Sequence, residues 1–234
     1  NQATTQKGGR LRLGVAGSST TDSLDPGKIT DAMAQSINWQ VRNCLVEVDP
    51  KGHPIPELAE SWEPITGAAK WMFKLRQDVE FHTGKALDAE DVIFSIIIIV
   101  AKFKVGGQGI VDPIQDIAAD GKHTVVFTLK EDNADFPFIM SDYHLTIVPA
   151  GTRGADWEKG IGTGGYALVS HEPGYNALTK RNPNYWKKGR AHFDEVETIG
   201  IADVTARATA LNTGQIDAMN RFELKTIHLL KRVT

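Results

Sequence analysis

The chain has 234 residues, 41% hydrophobic and 24% charged, with a formal net charge of −3 and both signs interspersed. Such a composition suits one large globular domain or two modest ones, and the lack of a basic stripe argues against nucleic acid or an anionic membrane surface as a partner. Val92 to Ala101, the longest apolar stretch, is interrupted by Ser95 and is too short to span a bilayer.

Asn1 to Gly9 is polar, without a signal peptide's apolar core, and reads as a flexible leader. Arg10 to Val15 alternates polar and apolar, placing Leu11, Leu13 and Val15 on one face of a half-buried strand. Ala16 to Ser23 is rich in small hydroxyl residues and reads as a loop. Thr30 suits a helix N-cap, with Met33, Ile37 and Val41 recurring on one face. Asp49-Pro50-Lys51-Gly52 predicts a turn between Leu45–Val48 and Ile55. From Lys70 the period is two again, with Trp71, Phe73 and Leu75 facing one way. Asp88 with Asp91 spells a capping box for a helix through about Lys102. Asp120-Gly121 between Ile114–Ala118 and His123–Leu129 predicts a hairpin. A glycine-rich passage from Gly151 to Gly165 leads to a strand at Tyr166–Val169, and Leu145–Val148 and Glu195–Ile201 also read as strands. Asp203 caps a helix ending at Gly214, followed by a short strand at Ile216–Met219. Strands mixed irregularly with helices predict a mixed α/β (α+β) fold.

The chemistry-bearing patterns fail one by one. Cys44, the single cysteine, excludes an intrachain disulfide and a cysteine metal cluster, and its apolar setting reads as an inert buried thiol. The seven histidines are scattered, with no pair at helical spacing for a metal. Gly160-Ile161-Gly162-Thr163-Gly164-Gly165 satisfies G-x-G-x-x-G, yet a strand follows it where a dinucleotide site needs a helix. Gly106-Gly107-Gln108-Gly109 lacks the lysine and hydroxyl of a phosphate loop. Asp22 with Asp25, or Glu90 with Asp91, are carboxylate pairs better read as turn and cap residues than as an acid and base. Hence no catalytic residue, metal or cofactor is expected.

Three stretches carry a resemblance. Leu58-Ala59-Glu60-Ser61-Trp62, with Trp71 to Gly84 and Ala89 to Ser95, closely resembles the signature of the peptide, dipeptide and nickel class of solute-binding proteins (family 5) that serve ABC importers. Gly162-Thr163-Gly164-Gly165-Tyr166 with Arg181-Asn182-Pro183-Asn184-Tyr185-Trp186, and Ala208 to Asp217, follow in the family's order. Gly165 replaces the family's usual proline. Ile96-Ile97-Ile98-Ile99-Val100 replaces polar residues, and a helix apolar on every side is expected to be buried all round.

The resemblance implies a type II periplasmic-binding fold with ligand trapped between two lobes. Residues 10–47 and 162–234 would form a sheet-based subdomain, with 48–161 inserted as a smaller one. The second lobe would follow this chain. It further implies an extracytoplasmic (periplasmic), monomeric receptor, free of nucleic acid. Such a receptor captures a small peptide or similar ligand and delivers it to an ABC importer permease, touching the membrane only through that complex. Other ligands of the class are nickel chelates, opines, oligosaccharides and haem. The expected contacts are Ser18, Ser19, Thr20, Thr21 and Asp22 after the first strand, Gln108 in its glycine-rich setting, and Asp142, Tyr143 and His144. Trp62, Trp71, Asp91, Tyr185 and Trp186 carry the resemblance and are expected to serve folding. Competing readings are a hydrolase or transferase using Asp22 or Asp25, and a structural module with an exposed apolar patch.

Overall fold

A computed structural model describes residues 7–106 and 109–221, and its strands form two main sheets. The first has the order β11-β1-β10-β9-β8, from Ala218–Met219, Arg10–Val15, Glu195–Gly200, Asn176–Arg181 and Tyr166–Glu172. In it β1 runs parallel to both β10 and β11, while β9 is antiparallel to its neighbours. The second is fully antiparallel in the order β4-β5-β7-β6, from Ala59–Thr66, Lys70–Leu75, Thr124–Leu129 and Ile114–Ala119. A small hairpin pairs β2 (Val46–Val48) with β3 (Pro54–Pro56) around the expected turn. The helices are α1 (Ala32–Val41), α2 (Ala89–Gly106), α3 (Phe136–Ile139), α4 (Ala155–Glu158) and α5 (Val204–Asn212).

Each sheet has its own apolar cluster. Leu13 and Val15 of β1 meet Met33, Ile37 and Val41 of α1, together with Leu24 and Ala177. In the four-stranded sheet, alternation sends Trp71, Phe73 and Leu75 of β5 and Val125, Phe127 and Leu129 of β7 into a larger core. Phe73, Phe127 and Phe136 meet edge to face there, with centroids 5.2–6.1 Å apart. Trp62 stacks on Phe73, and Trp186 packs on the margin of the same core.

The α2 capping box is reciprocal: Asp88 N donates to Asp91 Oδ2 (3.0 Å) and Asp91 N to Asp88 Oδ1 (3.3 Å). Asp203 caps α5 through Ala206 N at 2.7 Å. On α1 the cap is Asp31, which accepts from Ala34 N at 3.2 Å, one residue beyond the expected Thr30. The isoleucine run is buried only in part. Ile96 and Ile99 are fully covered but Ile97 is 51% exposed, so all-round burial of α2 is corrected. Leu145–Val148 joins no ladder. It is buried after a 3-10 turn at Tyr143–Leu145, with Ile147 N bonded to Asn43 O and Val148 N to Ser95 Oγ. Of the expected leader, residues 1–6 lie outside the described residues, while Gly8 N reaches His192 O and Gly9 N reaches Asp194 Oδ2.

The glycine run serves close packing. An added Cβ on Gly162 would lie 2.2 Å from Val41 O, and one on Gly164 would lie 2.3 Å from Gln40 O. With no side chain between them, Gly164 N reaches Val41 O at 2.9 Å and caps a terminal carbonyl of α1. His82 closes the segment from the other side, accepting from Gly162 N (3.3 Å) and lying 3.0 Å from Gly164 O.

Candidate functional site: a crevice at the strand ends

The carboxyl ends of β1, β10 and β11 open along one edge, because the three strands are parallel. The chain leaves β1 for α1 on the face of Leu13 and Val15. It leaves β10 for α5 and returns as β11 on the far side of β1. Gly14 points to the opposite face from α1, where an added Cβ would lie 2.5 Å from Ile216, a residue hydrogen-bonded to the end of α5. Helices thus leave to opposite faces around β1, and that switch in strand order is where open α/β sheets form a ligand crevice.

A cavity of about 370 Å³ occupies this flank, lined by Leu13, Val15, Ala32, Gln35, Ser36, Trp39, Asn220 and Arg221. Ala32, Gln35, Ser36 and Trp39 follow helical spacing along one side of α1. Trp39 is 44% exposed, a large apolar ring held against solvent. Asn220 fixes the far wall: its Oδ1 accepts from Ala16 N (2.7 Å) and its N donates to Gly14 O (3.2 Å). Arg221 adopts φ 48°, turning the chain out of β11. Beneath it the buried Arg207 guanidinium donates to Ile201 O, Ala202 O and Arg221 O at 2.6–2.8 Å, clipping the ends of β10 and β11 together.

The hydroxyl loop sits at the N-terminal end of α1, where Met33 N donates to Gly17 O. Thr20 and Thr21 are exposed, Ser18 and Ser19 half-buried. The loop is stitched internally: Ser19 N donates to Asp22 Oδ2 (3.0 Å), Ser19 Oγ and Thr21 Oγ1 lie 2.8 Å apart, and Asp22 N donates to Ser19 O (2.9 Å). Asp22 is only 7% exposed, and burial, with its neighbour Asp31, pushes its carboxyl up to about 6. Asp142, Tyr143 and His144 meet α1 further along, where Asn38 Nδ2 donates to Tyr143 O at 3.0 Å. Tyr143 and His144 overlap with centroids 3.8 Å apart. Burial works to raise the Asp142 carboxyl, but bonds from His144 N (2.9 Å) and a contact with its Nδ1 (2.7 Å) hold it below its usual value. Both groups therefore touch α1, and among the described residues no hydrogen bond joins one to the other. Gln108 lies outside the described residues.

Ala32, Gln35, Ser36, Trp39, Asn220 and Arg221 were missed by sequence reasoning. An exposed tryptophan on a helix whose opposite side is Met33, Ile37 and Val41 is the one signal that pointed there. Cys44 is buried with its thiol pushed well up by burial, and its Sγ donates to Asp142 O, as an inert thiol would. Among the described residues, no group of three His, Cys, Asp or Glu side chains is placed to hold a metal ion, and no helix is long and apolar enough to cross a membrane.

Comparison with known proteins decides the family. Residues 53–233 match the model of bacterial extracellular solute-binding proteins, family 5, middle region. The chain belongs to this family. It is 28% identical to the oligopeptide-binding protein AppA of Bacillus subtilis, a match covering 92% of this chain and 41% of that protein. Among solved structures, DppA of Helicobacter pylori in complex with the peptide STSA superposes with a TM-score of 0.84 at 25% identity, over 97% of this chain and 49% of that one. A nickel ABC transporter protein from Bacillus halodurans gives 0.82 at 30% identity, over 97% and 45%. The fold is accordingly that of type II periplasmic binding proteins, and the chain spans less than half the length of these relatives.

Proposed function

We propose that this chain contributes one wall of an extracytoplasmic receptor that captures short peptides and presents them to an ABC importer. The observation that carries the reading is a strand-end crevice at the switch point of a family 5 chain. In this reading residues 10–47 and 162–234 form one subdomain of the lobe and 48–161 the other. Ligand lies along Ala32, Gln35, Ser36 and Trp39, with the strand-end loop Ser18–Asp22 at one end and Asp142, Tyr143 and His144 beside α1; Gln108 belongs to the same proposed set. Peptides suit such a place because a ligand main chain pairs with free backbone groups at strand ends while its side chains stay in tolerant pockets.

The receptor works by binding, without turnover. Ligand held on this wall gains further contacts when an opposing lobe closes, and that difference in affinity shifts the population toward the closed form that the permease reads. Native mass spectrometry of the full-length protein tests the ligand class. Mixed short peptides are the expected co-purifying species. A single opine or nickel chelate replaces the peptide assignment while leaving the receptor intact, and turnover of a bound compound overturns the receptor itself.

A further inference from the structure

A second cavity, of about 490 Å³, lies at the other end of α1, between its C-terminal half, β2 and residues 185–191. Its size falls in the range of small-molecule sites, and it shares only Trp39 with the strand-end crevice. Trp39, Tyr166 and Tyr185 give it flat aromatic walls, and Val46 and Val48 an apolar floor.

Its charged groups are unequally occupied. Glu47 is ion-paired with Lys187. Glu57 is buried with both oxygens engaged, Oε1 by Asn43 Nδ2 (2.8 Å) and Oε2 by Cys44 N (3.0 Å). Burial pushes its carboxyl up to about 7 against the pull of Lys187, so it carries only part of a negative charge near neutral pH. Neither acid therefore offers an occupant a free carboxylate. Three donors are open by contrast. Arg190 lines the cavity together with Tyr185 and, among the described residues, makes no ion pair or hydrogen bond. The Tyr185 hydroxyl accepts from Asn43 Nδ2 at 3.4 Å, which leaves its own proton to give. Trp39 is exposed, and its indole N–H has no hydrogen-bond partner among the described residues.

We propose that this cavity binds a small organic carboxylate with a flat apolar body, its carboxylate on Arg190 and the Tyr185 hydroxyl and its ring along Trp39. A guanidinium and a phenol donor lining one cavity can between them take a carboxylate's two oxygens, and bonds of this charge-assisted kind are the strong ones. The site stands apart from the transported ligand, which occupies the crevice on the other side of Trp39.

The test uses the full-length protein freed of co-purified ligand, with indole-3-acetate as probe and its neutral amide as control, followed by calorimetry and transferred NOEs. Indole-3-acetate should bind one to one, the amide about tenfold or more weakly, as expected for loss of a charged hydrogen bond. Arg190→Ala should lose the same factor with an unchanged melting temperature, since the residue is exposed and makes no hydrogen bond or ion pair among the described residues. Equal binding of acid and amide, unaltered binding by Arg190→Ala, no saturable binding, or NOEs to Gln35 and Asn220 in place of Val48 and Tyr185 would each overturn the site. None of those outcomes touches the peptide reading, which the co-purified ligand reports separately.

Discussion

Arg42 is fully buried, and its charge is met chiefly by carbonyls. Its Nη1 donates to Leu24 O (2.6 Å) and Asn38 Oδ1 (3.2 Å), and its Nη2 to Trp157 O (2.8 Å), so one side chain ties the loop before α1 to α4. Burial lowers its pKa to about 10, with Glu158 and Asp25 opposing, so it remains charged at neutral pH. Arg42→Met should cost about 3 kcal/mol or more in urea denaturation, because Leu24 O loses its donor and the buried charge-assisted bonds to Asn38 Oδ1 and Trp157 O go with it. Asp22 gives a second, pH-resolved expectation. Its folded value of about 6 lies above its ordinary value of 3.8, so between these limits the folded state holds more protons than the unfolded one. Stability contributed by this group is therefore fully present below pH 4 and falls as pH rises through 6. Asp22→Asn keeps an acceptor for Ser19 N and a donor toward Asp31, and should flatten that fall. It should be more stable than the parent at pH 7.5 by about 1 kcal/mol and equal to it near pH 4. Thermal melts across that range decide the point, and a parallel fall in parent and variant would place the proton elsewhere.

Among the elements, the glycine run separates spelling from role. Its G-x-G-x-x-G pattern invites a dinucleotide site, and its packing against the end of α1 shows why glycine is needed. Gly162→Ala would drive a Cβ into the Val41 carbonyl, a backbone atom that cannot move aside alone. A loss of about 3 kcal/mol or more is expected for such overpacking, read as a lowered urea midpoint. Gly165→Ala meets only side-chain atoms of Tyr185 and Ala191, at 3.1 Å and beyond, and should cost distinctly less. Other elements were legible because their signals are local: the Asp88 and Asp91 box, the Asp120-Gly121 turn, and the alternation through Trp71, Phe73 and Leu75. Strand β4 was illegible because it is an exposed edge with Glu60, Ser61, Glu63 and Pro64, and an edge tolerates proline without needing an apolar pattern. Strand β9 was missed for another reason. Its core-facing residues are Ala177 and Thr179, small side chains whose burial depends on α1 lying across them.

For the molecule as a whole, the residues that carry the family motifs and those that line the strand-end crevice are different sets. Trp62, Trp71 and Trp186 carry the family resemblance and pack in or against the large core, while Ala32, Gln35, Asn220 and Arg221 are unremarkable in sequence and line the crevice. They become neighbours only when β11 pairs beside β1, some two hundred residues away along the chain, and no local pattern encodes that meeting. The same geometry sets what this wall can do alone. The crevice is open, and the matched relatives run to more than twice the stretch covered here. If closure supplies the contacts that favour bound ligand, residues 1–234 produced alone should bind it about 100-fold more weakly than the protein at its relatives' length, a difference of about 2.7 kcal/mol. Calorimetry on both, with circular dichroism to establish that the shorter chain is folded, measures that ratio. Equal affinities would mean that this wall holds the ligand unaided, and lobe closure would drop out of the proposed reading.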